Sequence, residues 1–433
     1  MAEYRKGFQQ PDPRGHDRWS IQGGDYRWYL PDPLTGQPLH LTPATQSRLE
    51  SVSEEVARLG ERFRERPLPA LYATLLRSES IASSRIEGVR EDPSAVLLAD
   101  IDDAPQREHS AAQMISRNID AVRQAVETLA TQSHWSSADI DALHRTLLPT
   151  HPVGFRDRLV WISGNSPVQA KYVAPHPEYV PDLVEDLVTY LETTDDPPLV
   201  RAALSHAQLE TIHPWADGNG RAGRALIQAV LARSGIVSGG VLPVSVVFGH
   251  RDSGYVAALN TFRYDPRRGG TADEAREAFV AYFLQATSDA VVVASDLLAE
   301  VQRIEASWAE KTATVRAHSA QHRLLSLLAD RPVLTIPYAL DQAEYTDSRG
   351  AVRTYSRAAI GTAFQALEAK GIVERMPSRD GRHLVYRAPE IMNLLVLTER
   401  RLGSAELDTV AAPLSKHSRR RTPDLPEHLR SST

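Results

Sequence analysis

Cysteine is absent from the 433-residue sequence, which excludes disulfides and thiolate metal sites. Its absence is compatible with a reducing compartment, so we expect a cytoplasmic protein. The N-terminus has no apolar segment of the kind that a secretory signal needs, and no apolar run is long enough to cross a bilayer. We therefore expect no membrane partner. Hydrophobic residues make up 42% of a chain that should form two or three domains.

Charge is distributed unevenly along the chain. The formal net charge is −6, but the part from Lys311 onward has 19 Lys and Arg against 13 Asp and Glu. A basic C-terminal part behind an acidic body indicates either contact with an anionic partner or an ordinary solvated surface. Composition does not choose between the two.

Helical periodicity dominates, which predicts a mainly α fold. Two N-terminal helices are expected at Thr45–Arg64 and Leu71–Ile86, and Ser136 or Ser137 should cap a later helix. The predicted units are an extended N-terminal arm rich in proline, glycine and charge (1–44), N-terminal helices (45–100), a helical core (101–300), a C-terminal unit (315–400) and a basic disordered tail (401–433).

The segment His213–Arg224 concentrates the most chemistry in the shortest stretch. Apolar residues at helical spacing precede and follow it, and Pro214 should end the first helix because the residue before a proline avoids the α region. The segment therefore predicts a helix, a tight loop and a second helix. A glycine-containing turn at the start of a helix points several backbone N–H groups at one place, which predicts a phosphate-binding nest.

The polar residues of this segment suit phosphate transfer. His213 can accept a proton from an attacking hydroxyl, and Asp217 is a hard oxygen ligand suited to Mg²⁺. Arg221 and Arg224 are three residues apart on a helix and should form a fork for phosphate oxygens. A purely structural histidine and glycine-rich helix start is the alternative. The residues expected to permit the positive φ angles of a nest are Gly218, Asn219 and Gly220.

An acid, Glu87, ends the second predicted helix. The helix dipole disfavours negative charge at a C-terminus, so a cationic group should face this carboxylate. The alternative is an exposed carboxylate on a frayed helix end.

Two short β-prone runs around a Gly-Asn turn predict a β-hairpin. A lone hairpin in a helical protein buries little of its own surface, so it is either a scaffold flap or an edge to which another chain adds a strand. Its central residues are Trp161, Ile162, Tyr172 and Val173.

The last folded part has a different pattern from the core. Three short helical patterns precede two strands around a basic tip at Ser378–Arg382, and these are the elements of a winged helix-turn-helix domain of the α+β type. Ser356 would cap its recognition helix, which would expose Arg357 and Thr362. The three helical patterns are Gln321–Leu328, Ile336–Gln342 and Ser356–Lys370.

The sequence HPWADGNGRAGR resembles the HPFxxGNGRxxR signature of the Fic domain family, with Trp215 in place of the usual Phe. The resemblance covers roughly residues 45–300 and includes the hairpin, which is similar to the family's target-docking flap. It implies a Fic-type helical bundle with a β-hairpin flap. It also implies transfer of AMP from ATP to a Ser, Thr or Tyr hydroxyl of a target protein, and this protein itself is one candidate target. The sequence leaves the oligomeric state open, with a homo-oligomer as one candidate.

The resemblance assigns roles to the residues that match the signature. His213 would be the base, Asp217 would hold Mg²⁺, Gly218–Arg221 would cradle the α- and β-phosphates, and Arg224 would bind the γ-phosphate. A related branch that phosphorylates its targets has a lysine at the position of Gly220, so glycine there favours adenylyl transfer.

The nucleotide pocket is less well marked. Tyr255 resembles the first of a tyrosine pair that lines the pocket in the family, but Val256 replaces the second. Asn260 is a weaker candidate for the same pocket. Tyr255 and Asn260 could equally be core or helix-surface residues.

The segment from Ser83 to Gly88 is similar to the family's inhibitory motif, [S/T]xxxE[G/N]. By that resemblance Glu87 would pair with Arg224 and occupy the place of the γ-phosphate, which marks a self-inhibited class. In some relatives the same glutamate supports removal of AMP, so a de-AMPylase is an alternative. Two further alternatives concern the C-terminal unit, which could bind DNA in a regulator whose Fic domain senses nucleotide, or could be a docking or dimerisation surface for protein.

Overall fold

A computed structural model of the chain describes residues 2–14, 18–65, 68–99, 110–237, 239–317, 319–346, 351–377 and 384–401. Most of these residues are in helices, which confirms the prediction of a mainly α fold. Part of the acidic link, the hairpin tip at Ser378–Arg382 and the tail from residue 402 lie outside the described residues.

The N-terminal residues differ from the predicted extended arm. Strands β1 (Glu3–Gln9) and β2 (Gly24–Leu30) pair antiparallel around a short helix, α1 (Arg18–Gln22). Tyr29 of β2 packs against Tyr172, with ring centroids 6.4 Å apart. The prediction was wrong here because contacts with residues far along the chain hold this pair, and proline and glycine content gave no sign of them.

The central part of the chain is a helical bundle with one hairpin. Its helices are α2 (Pro43–Glu65), α3 (Pro69–Ile86), α4 (Pro93–Ala99), α5 (Ala111–Glu127), α6 (Ser137–Leu147), α7 (Val180–Thr193), α8 (Pro198–Ile212), α9 (Asn219–Arg233), α10 (Val244–His250), α11 (Asp252–Phe262) and α12 (Ala272–Lys311). The hairpin strands are β3 (Trp161–Ile162) and β4 (Tyr172–Val173), and short 3-10 helices cover Leu129–Thr131, Pro177–Tyr179 and Pro266–Arg268.

Helix starts follow local sequence signals. Pro43, Pro69 and Pro198 occupy the first helical position, where a missing N–H costs nothing. Ser136 caps α6 in a capping box, which confirms the predicted cap. Thr271 caps α12 in the same way.

Helices α8 and α9 form the centre of the bundle, and nearly every residue of both is buried. They pack on each other, while α5 and α3 contact α9, and α7 and α12 contact α8. Buried polar side chains are costly unless they are paired. We therefore expect each charged residue of α9 to have a specific partner or ligand.

Helix α12 corrects the expectation about apolar runs. It contains an 18-residue window that is long and apolar enough to cross a bilayer by length and composition, and 44% of that window is buried. A core helix of a soluble protein meets the same criterion. The expectation was wrong because a helix can be apolar enough on average although a few charged residues interrupt its apolar run. The buried side of α12 packs on α2, α8 and α11.

The C-terminal unit has the three predicted helices and the two predicted strands. It also has elements that were not predicted, namely β5, the paired strands β6 and β7 between two helices, and a last helix. Its elements are α13 (Ala320–Asp330), β5 (Val333–Thr335), α14 (Ile336–Gln342), β6 (Glu344–Thr346), β7 (Val352–Thr354), α15 (Arg357–Ala369), β8 (Glu374–Pro377), β9 (Leu384–Arg387) and α16 (Pro389–Arg401). Strands β5, β9 and β8 form one antiparallel sheet in that order.

The C-terminal unit packs directly on helix α3. Both α13 and α16 contact α3, and Arg77 of α3 donates from Nη1 to the backbone oxygen of Asp330, at 2.6 Å. Leu97 of α4 shares an apolar cluster with Val333, Val385 and further residues of the unit. Helix α3 therefore lies between α9 on one side and the C-terminal unit on the other.

Candidate functional site

The loop between α8 and α9 sets the geometry of the site. Helix α8 ends at Ile212, and His213 adopts a left-handed conformation with φ of 52° and ψ of 60°. Helix α9 begins at Asn219 after Gly218, whose φ is 80°. The predicted helix, loop and helix are confirmed. A left-handed conformation at a residue other than glycine costs about 1–3 kcal/mol, so neighbours must hold His213 in place.

Arg156 provides that support. Its Nε donates to the backbone oxygen of His213 at 2.7 Å, its Nη2 donates to Pro175 O at 2.6 Å, and its backbone N–H donates to Pro214 O at 2.9 Å. Arg156 is 8% exposed, and burial lowers its pKa to about 10, so it stays charged at neutral pH. This role could not be predicted from the sequence, because a lone arginine before a hairpin gives no signal.

His213 is oriented to act as a base. Its Nδ1 lies 2.9 Å from the backbone oxygen of Glu210, which can only accept, so Nδ1 carries the proton and Nε2 keeps its lone pair. Burial lowers the pKa of His213 to about 4, against the opposing effect of that carbonyl. The imidazole is therefore neutral at pH 7.

Only one residue of the expected nest has a positive φ. The expectation was wrong for Asn219 and Gly220, which lie within α9. The Asn219 side chain closes the loop instead, because its Oδ1 accepts from Trp215 N at 3.0 Å and its Nδ2 donates to Trp215 O at 2.9 Å. Gly220 lets Glu87 approach closely, since a Cβ there would lie 1.9 Å from Glu87 Oε1 and the carboxylate would have to move.

Asp217 and Arg221 lie next to each other at the start of α9. The Asp217 side chain is 63% exposed, accepts from Gly218 N at 2.7 Å through Oδ1, and lies 3.6 Å from Arg221 Nη2 through Oδ2. The Arg221 side chain is 1% exposed, and its Nε and Nη1 have no hydrogen-bond partner among the described residues. Buried guanidinium donors of this kind suit the oxygens of a phosphate.

Arg224 has its partners on helix α3. Its Nε donates to Ser83 Oγ at 2.9 Å, and its Nη2 donates both to Ser83 O and to Glu87 Oε1, each at 2.8 Å. The two arginines thus lie on one helix but have different partners. Arg221 lies beside Asp217, and Arg224 bonds to Ser83 and Glu87 of α3. The pairing of Glu87 with Arg224 that the resemblance implied is present.

Glu87 sits at the C-terminal cap of α3, and the chain turns away at Gly88 with φ of 79°. Burial would raise the pKa of Glu87, but Arg224 outweighs it and holds the pKa below its ordinary value. The facing cation that the helix dipole predicts is present, and the Glu87 side chain is also 36% exposed.

The hairpin is present, but its two strands differ in exposure. Trp161 pairs with Val173 and Ile162 with Tyr172. Tyr172 and Val173 are buried, whereas Trp161 and Ile162 are partly exposed. Tyr172 donates from its hydroxyl to Thr211 O at 2.5 Å, which ties β4 to the last turn of α8. Of the four predicted flap residues, only the two on β3 are accessible to another chain.

The two nucleotide-pocket candidates lie on different sides of α11. Tyr255 is 3% exposed, and its hydroxyl lies 2.8 Å from His206 Nε2 within the core. Asn260 is exposed and lines a groove of about 950 Å³ between the β1–β2 pair, the hairpin loop and α12. Arg263 lines the same groove and donates to Glu210 O at 2.9 Å, whereas no residue of His213–Arg224 lines the groove.

Glu210 is a further charged residue of the candidate site, and it was not predicted from the sequence. Its side chain is 7% exposed, with Oε1 at 3.9 Å from Arg224 Nη1 and Oε2 at 3.8 Å from His213 Nδ1. Burial, together with Glu87, raises the pKa of Glu210 to about 7. The available signal was an acid one helical turn before His213, on a helix whose apolar residues at helical spacing predict burial.

Comparison with known families identifies two regions. Residues 134–231 match the Fic/DOC family, and residues 46–127 match the Fic/DOC family N-terminal region. The first match includes the whole segment His213–Arg224, and the second includes Ser83, Glu87 and Gly88.

Curated relatives share part of the chain. The protein adenylyltransferase fic-1 of Caenorhabditis elegans is 33% identical over 132 residues, which are 29% of this chain and 24% of the relative. A probable protein adenylyltransferase of Aquifex aeolicus is 34% identical over 109 residues, 25% of this chain and 30% of the relative. The chain thus spans less than a third of the length of these relatives.

A solved structure is similar over a longer stretch. It is a Fic family protein from Desulfovibrio desulfuricans, 22% identical, with a TM-score of 0.47 over 81% of this chain and 98% of that chain.

Proposed function

We propose that this chain is a Fic-domain protein and a protein adenylyltransferase, which would transfer AMP from ATP to a hydroxyl side chain of a target protein. The observation that carries the proposal is the buried guanidinium of Arg221 at the start of the helix that follows His213, since two of its nitrogens, Nε and Nη1, have no hydrogen-bond partner within the described part of the chain. Buried cationic donors suit the phosphates of ATP, and a neutral imidazole suits an alcohol nucleophile. The names of the curated relatives point to the same reaction.

In the proposed reaction, the target hydroxyl attacks the α-phosphorus of ATP. His213 Nε2 takes the proton of the target hydroxyl, whose oxygen forms a bond to the α-phosphorus. The bond between the α-phosphorus and the bridging oxygen breaks, and pyrophosphate leaves with the electron pair. Arg221 and the first N–H groups of α9 hold the α- and β-phosphates, and Arg224 holds the γ-phosphate. Bound phosphates would also raise the pKa of His213. Their negative charge would oppose Arg156 and Arg263, which lower this pKa in addition to burial.

The residues at Asp217 fit Mg²⁺. Its exposed carboxylate lies beside the proposed phosphate site, and one carboxylate with phosphate oxygens and water is a usual donor set for this ion. No group of three His, Asp or Glu side chains that could hold a metal occurs in the part of the chain that the structure describes, so ATP would supply the remaining ligands. When bound, Mg²⁺ would neutralise charge on the phosphates.

Glu87 would keep the resting enzyme inhibited. Its carboxylate pairs with the Arg224 guanidinium that the γ-phosphate needs, and Ser83 orients the same guanidinium. ATP could still bind, but its α-phosphate would be misaligned for in-line attack. Each 1.36 kcal/mol of lost transition-state stabilisation slows a reaction about tenfold, so a competing ion pair can suppress the rate strongly.

Labelling with ATP tests this proposal. Wild type, Glu87→Gly and Glu87→Gly with His213→Ala are incubated with labelled ATP and Mg²⁺, and a lysate supplies targets. We expect Glu87→Gly to label itself or a lysate protein at least tenfold more than wild type, and intact mass should show addition of AMP. The double variant should be inactive. If Glu87→Gly labels nothing above the double variant, the adenylyltransferase proposal is wrong.

We propose roles for the remaining predicted residues as well. Asn260 and the groove beside it would take the nucleoside of ATP, whereas Tyr255 would act only from the core, through Arg224 and Glu210. Trp161 and Ile162 on β3 would contact the target chain around its hydroxyl.

We propose a second role for the C-terminal unit, as a winged helix-turn-helix that binds DNA. The exposed face of α15 supports this role, because it carries Arg357, Thr362 and Gln365 with small residues between them, and such side chains can reach base edges. Salt-dependent binding of duplex DNA that Arg357→Ala weakens would support it. Absence of binding at low salt would favour the alternative, in which the unit docks protein.

A further inference from the structure

Helix α6 places two buried polar side chains behind the loop of the candidate site. His144 is 0% exposed, and its Nε2 lies 2.8 Å from the backbone oxygen of Asp217. Asp141 is 4% exposed, and its Oδ1 accepts from Trp215 Nε1 at 3.1 Å. Neither residue belongs to the segment His213–Arg224, yet both bond to it.

The tautomer of His144 follows from its partner. A carbonyl oxygen only accepts, so Nε2 carries the proton and donates it to Asp217 O. Nδ1 has no hydrogen-bond partner among the described residues, and burial lowers the pKa of His144 to about 4. The ring is therefore a neutral, single-donor group at any pH near 7.

The ring is fixed in orientation as well as in charge. It stacks on Trp215 with centroids 4.1 Å apart and an interplanar angle of 2°. On its edge, a Cβ at Gly218 would lie 3.2 Å from His144 Nε2, at a residue whose φ is 80°. Trp215 donates in turn to Asp141. The His144 ring is therefore restricted both by its own hydrogen bond and by stacking on a tryptophan that is itself held in place.

The bond from His144 acts on a single peptide group. The oxygen that accepts it and the N–H of Gly218 belong to the peptide between Asp217 and Gly218. That N–H donates to the Asp217 carboxylate, at 2.7 Å from Oδ1. His144 thus fixes one end of the peptide, and the other end orients the carboxylate that the proposed function assigns to Mg²⁺. Hydrogen bonds on the oxygen of a peptide also polarise its N–H.

We infer that His144 is a positioning residue, which sets the orientation of the Asp217 carboxylate through the Asp217–Gly218 peptide and so determines how well the site takes a divalent ion together with a nucleoside triphosphate. The inference rests on the proposed function for the identity of the ion and the nucleotide. Groups that orient the ligands of a metal typically change metal affinity or activity about 10- to 100-fold when they are replaced.

The test uses two substitutions of His144 that separate stacking from hydrogen bonding, each in the full chain carrying Glu87→Gly. His144→Phe keeps an aromatic ring against Trp215 but removes the donor, and His144→Gln keeps a donor but removes the ring. His151→Phe is the matched control, because His151 is a neighbouring histidine whose ring centroid is 5.5 Å from that of His144. Binding of Mn²⁺ in the presence of a non-hydrolysable ATP analogue is measured by electron paramagnetic resonance, together with the Mg²⁺ dependence of labelling.

We expect His144→Phe to weaken Mn²⁺ binding and to raise the half-saturating Mg²⁺ concentration about tenfold or more, with thermal unfolding close to that of the parent. His144→Gln should recover most of both, and His151→Phe should match the parent. Unchanged Mn²⁺ binding in His144→Phe would overturn the inference, and so would equal loss in the Phe and Gln variants. Loss of labelling in the parent with intact Mn²⁺ binding would contradict the proposed function and leave this inference standing.

Discussion

Glu79 is a carboxylate buried at the contact of α3 with α9 and α10, with an exposed fraction of 0%. It accepts from Ser245 N at 2.8 Å, from Ser245 Oγ at 2.5 Å and from Gln228 Nε2 at 3.3 Å. Burial nevertheless outweighs these donors and raises the pKa of Glu79 to about 7. A group whose pKa is raised on folding binds more protons in the folded state between its two pKa values, so stability falls as pH rises through that interval.

We therefore expect Glu79→Gln to gain stability relative to wild type between pH 5 and pH 8. The folded pKa is about 7 and the ordinary value 4.5, so the relative gain should approach about 3 kcal/mol in the free energy of unfolding. Denaturant unfolding at the two pH values measures it, and Glu61→Gln on the exposed side of α2 is the control. The difference between variant and wild type cancels the buried histidines, whose lowered pKa values act in the opposite direction. An equal stability difference at both pH values would show that Glu79 keeps its ordinary pKa.

Most residue identities at the site could be predicted from the sequence. His213, Asp217, Arg221 and Arg224 lie around one loop as the motif predicts, because four candidate residues within twelve positions leave little freedom in a helix, loop and helix. The supporting residues could not be predicted. Arg156 acts from a segment 57 positions away, and no local pattern shows such a pairing.

At the scale of elements, α3 and α9 are joined by an antiparallel row of polar contacts. Glu79, Ser83 and Glu87 are spaced by four residues on one face of α3, and they contact Gln228 and Arg224 on α9. The earlier residue of α3, Glu79, contacts the later residue of α9, Gln228, whereas Ser83 and Glu87 contact the earlier residue Arg224. The position of Glu87 against Arg224 thus depends on the register of a whole helix pair.

Removing one hydrogen bond of this row should raise the basal activity. Ser83→Ala deletes the acceptor of Arg224 Nε, and one hydrogen bond to a charged group contributes about 1.5–3 kcal/mol, so labelling by the otherwise wild-type protein should rise about tenfold or more. Ser84→Ala is the matched control, because Ser84 Oγ accepts from Asn118 on α5 instead. The same rise in both variants would mean that general loosening of α3, and not the contact with Arg224, controls activity.

At the scale of the whole molecule, helix α3 is shared between the candidate site and the C-terminal unit. Arg77 is 2% exposed and bonds to Asp330 O, and it lies on α3 two residues before Glu79. Any ligand that moved the C-terminal unit would act on the helix that carries Glu87. The sequence predicted a unit after a long helix and gave no sign of this contact.

Replacement of Arg77 should weaken the contact between α3 and the C-terminal unit. In Arg77→Met we expect faster amide hydrogen exchange in α3 and α13, because a buried bond from a charged donor is lost. Labelling activity should rise in parallel. Arg303→Ala removes an exposed ion pair with Glu300 on α12 and should leave exchange in α3 unchanged. Exchange in α3 that does not respond to Arg77→Met would show that the C-terminal unit and the inhibitory helix are independent.

The sequence by itself determined the local features, namely the helices, their caps, the glycine-bearing loop and the residues that carry the chemistry. These depend on spacing and on backbone preference, which neighbouring residues set. The tertiary structure decided which side chains meet. It paired Glu87 with Arg224, buried Tyr255 and Tyr172, folded the first residues into a strand pair, and put α3 against the C-terminal unit. Contacts between residues far apart in the chain depend on how complete helices pack, and local periodicity does not specify that packing.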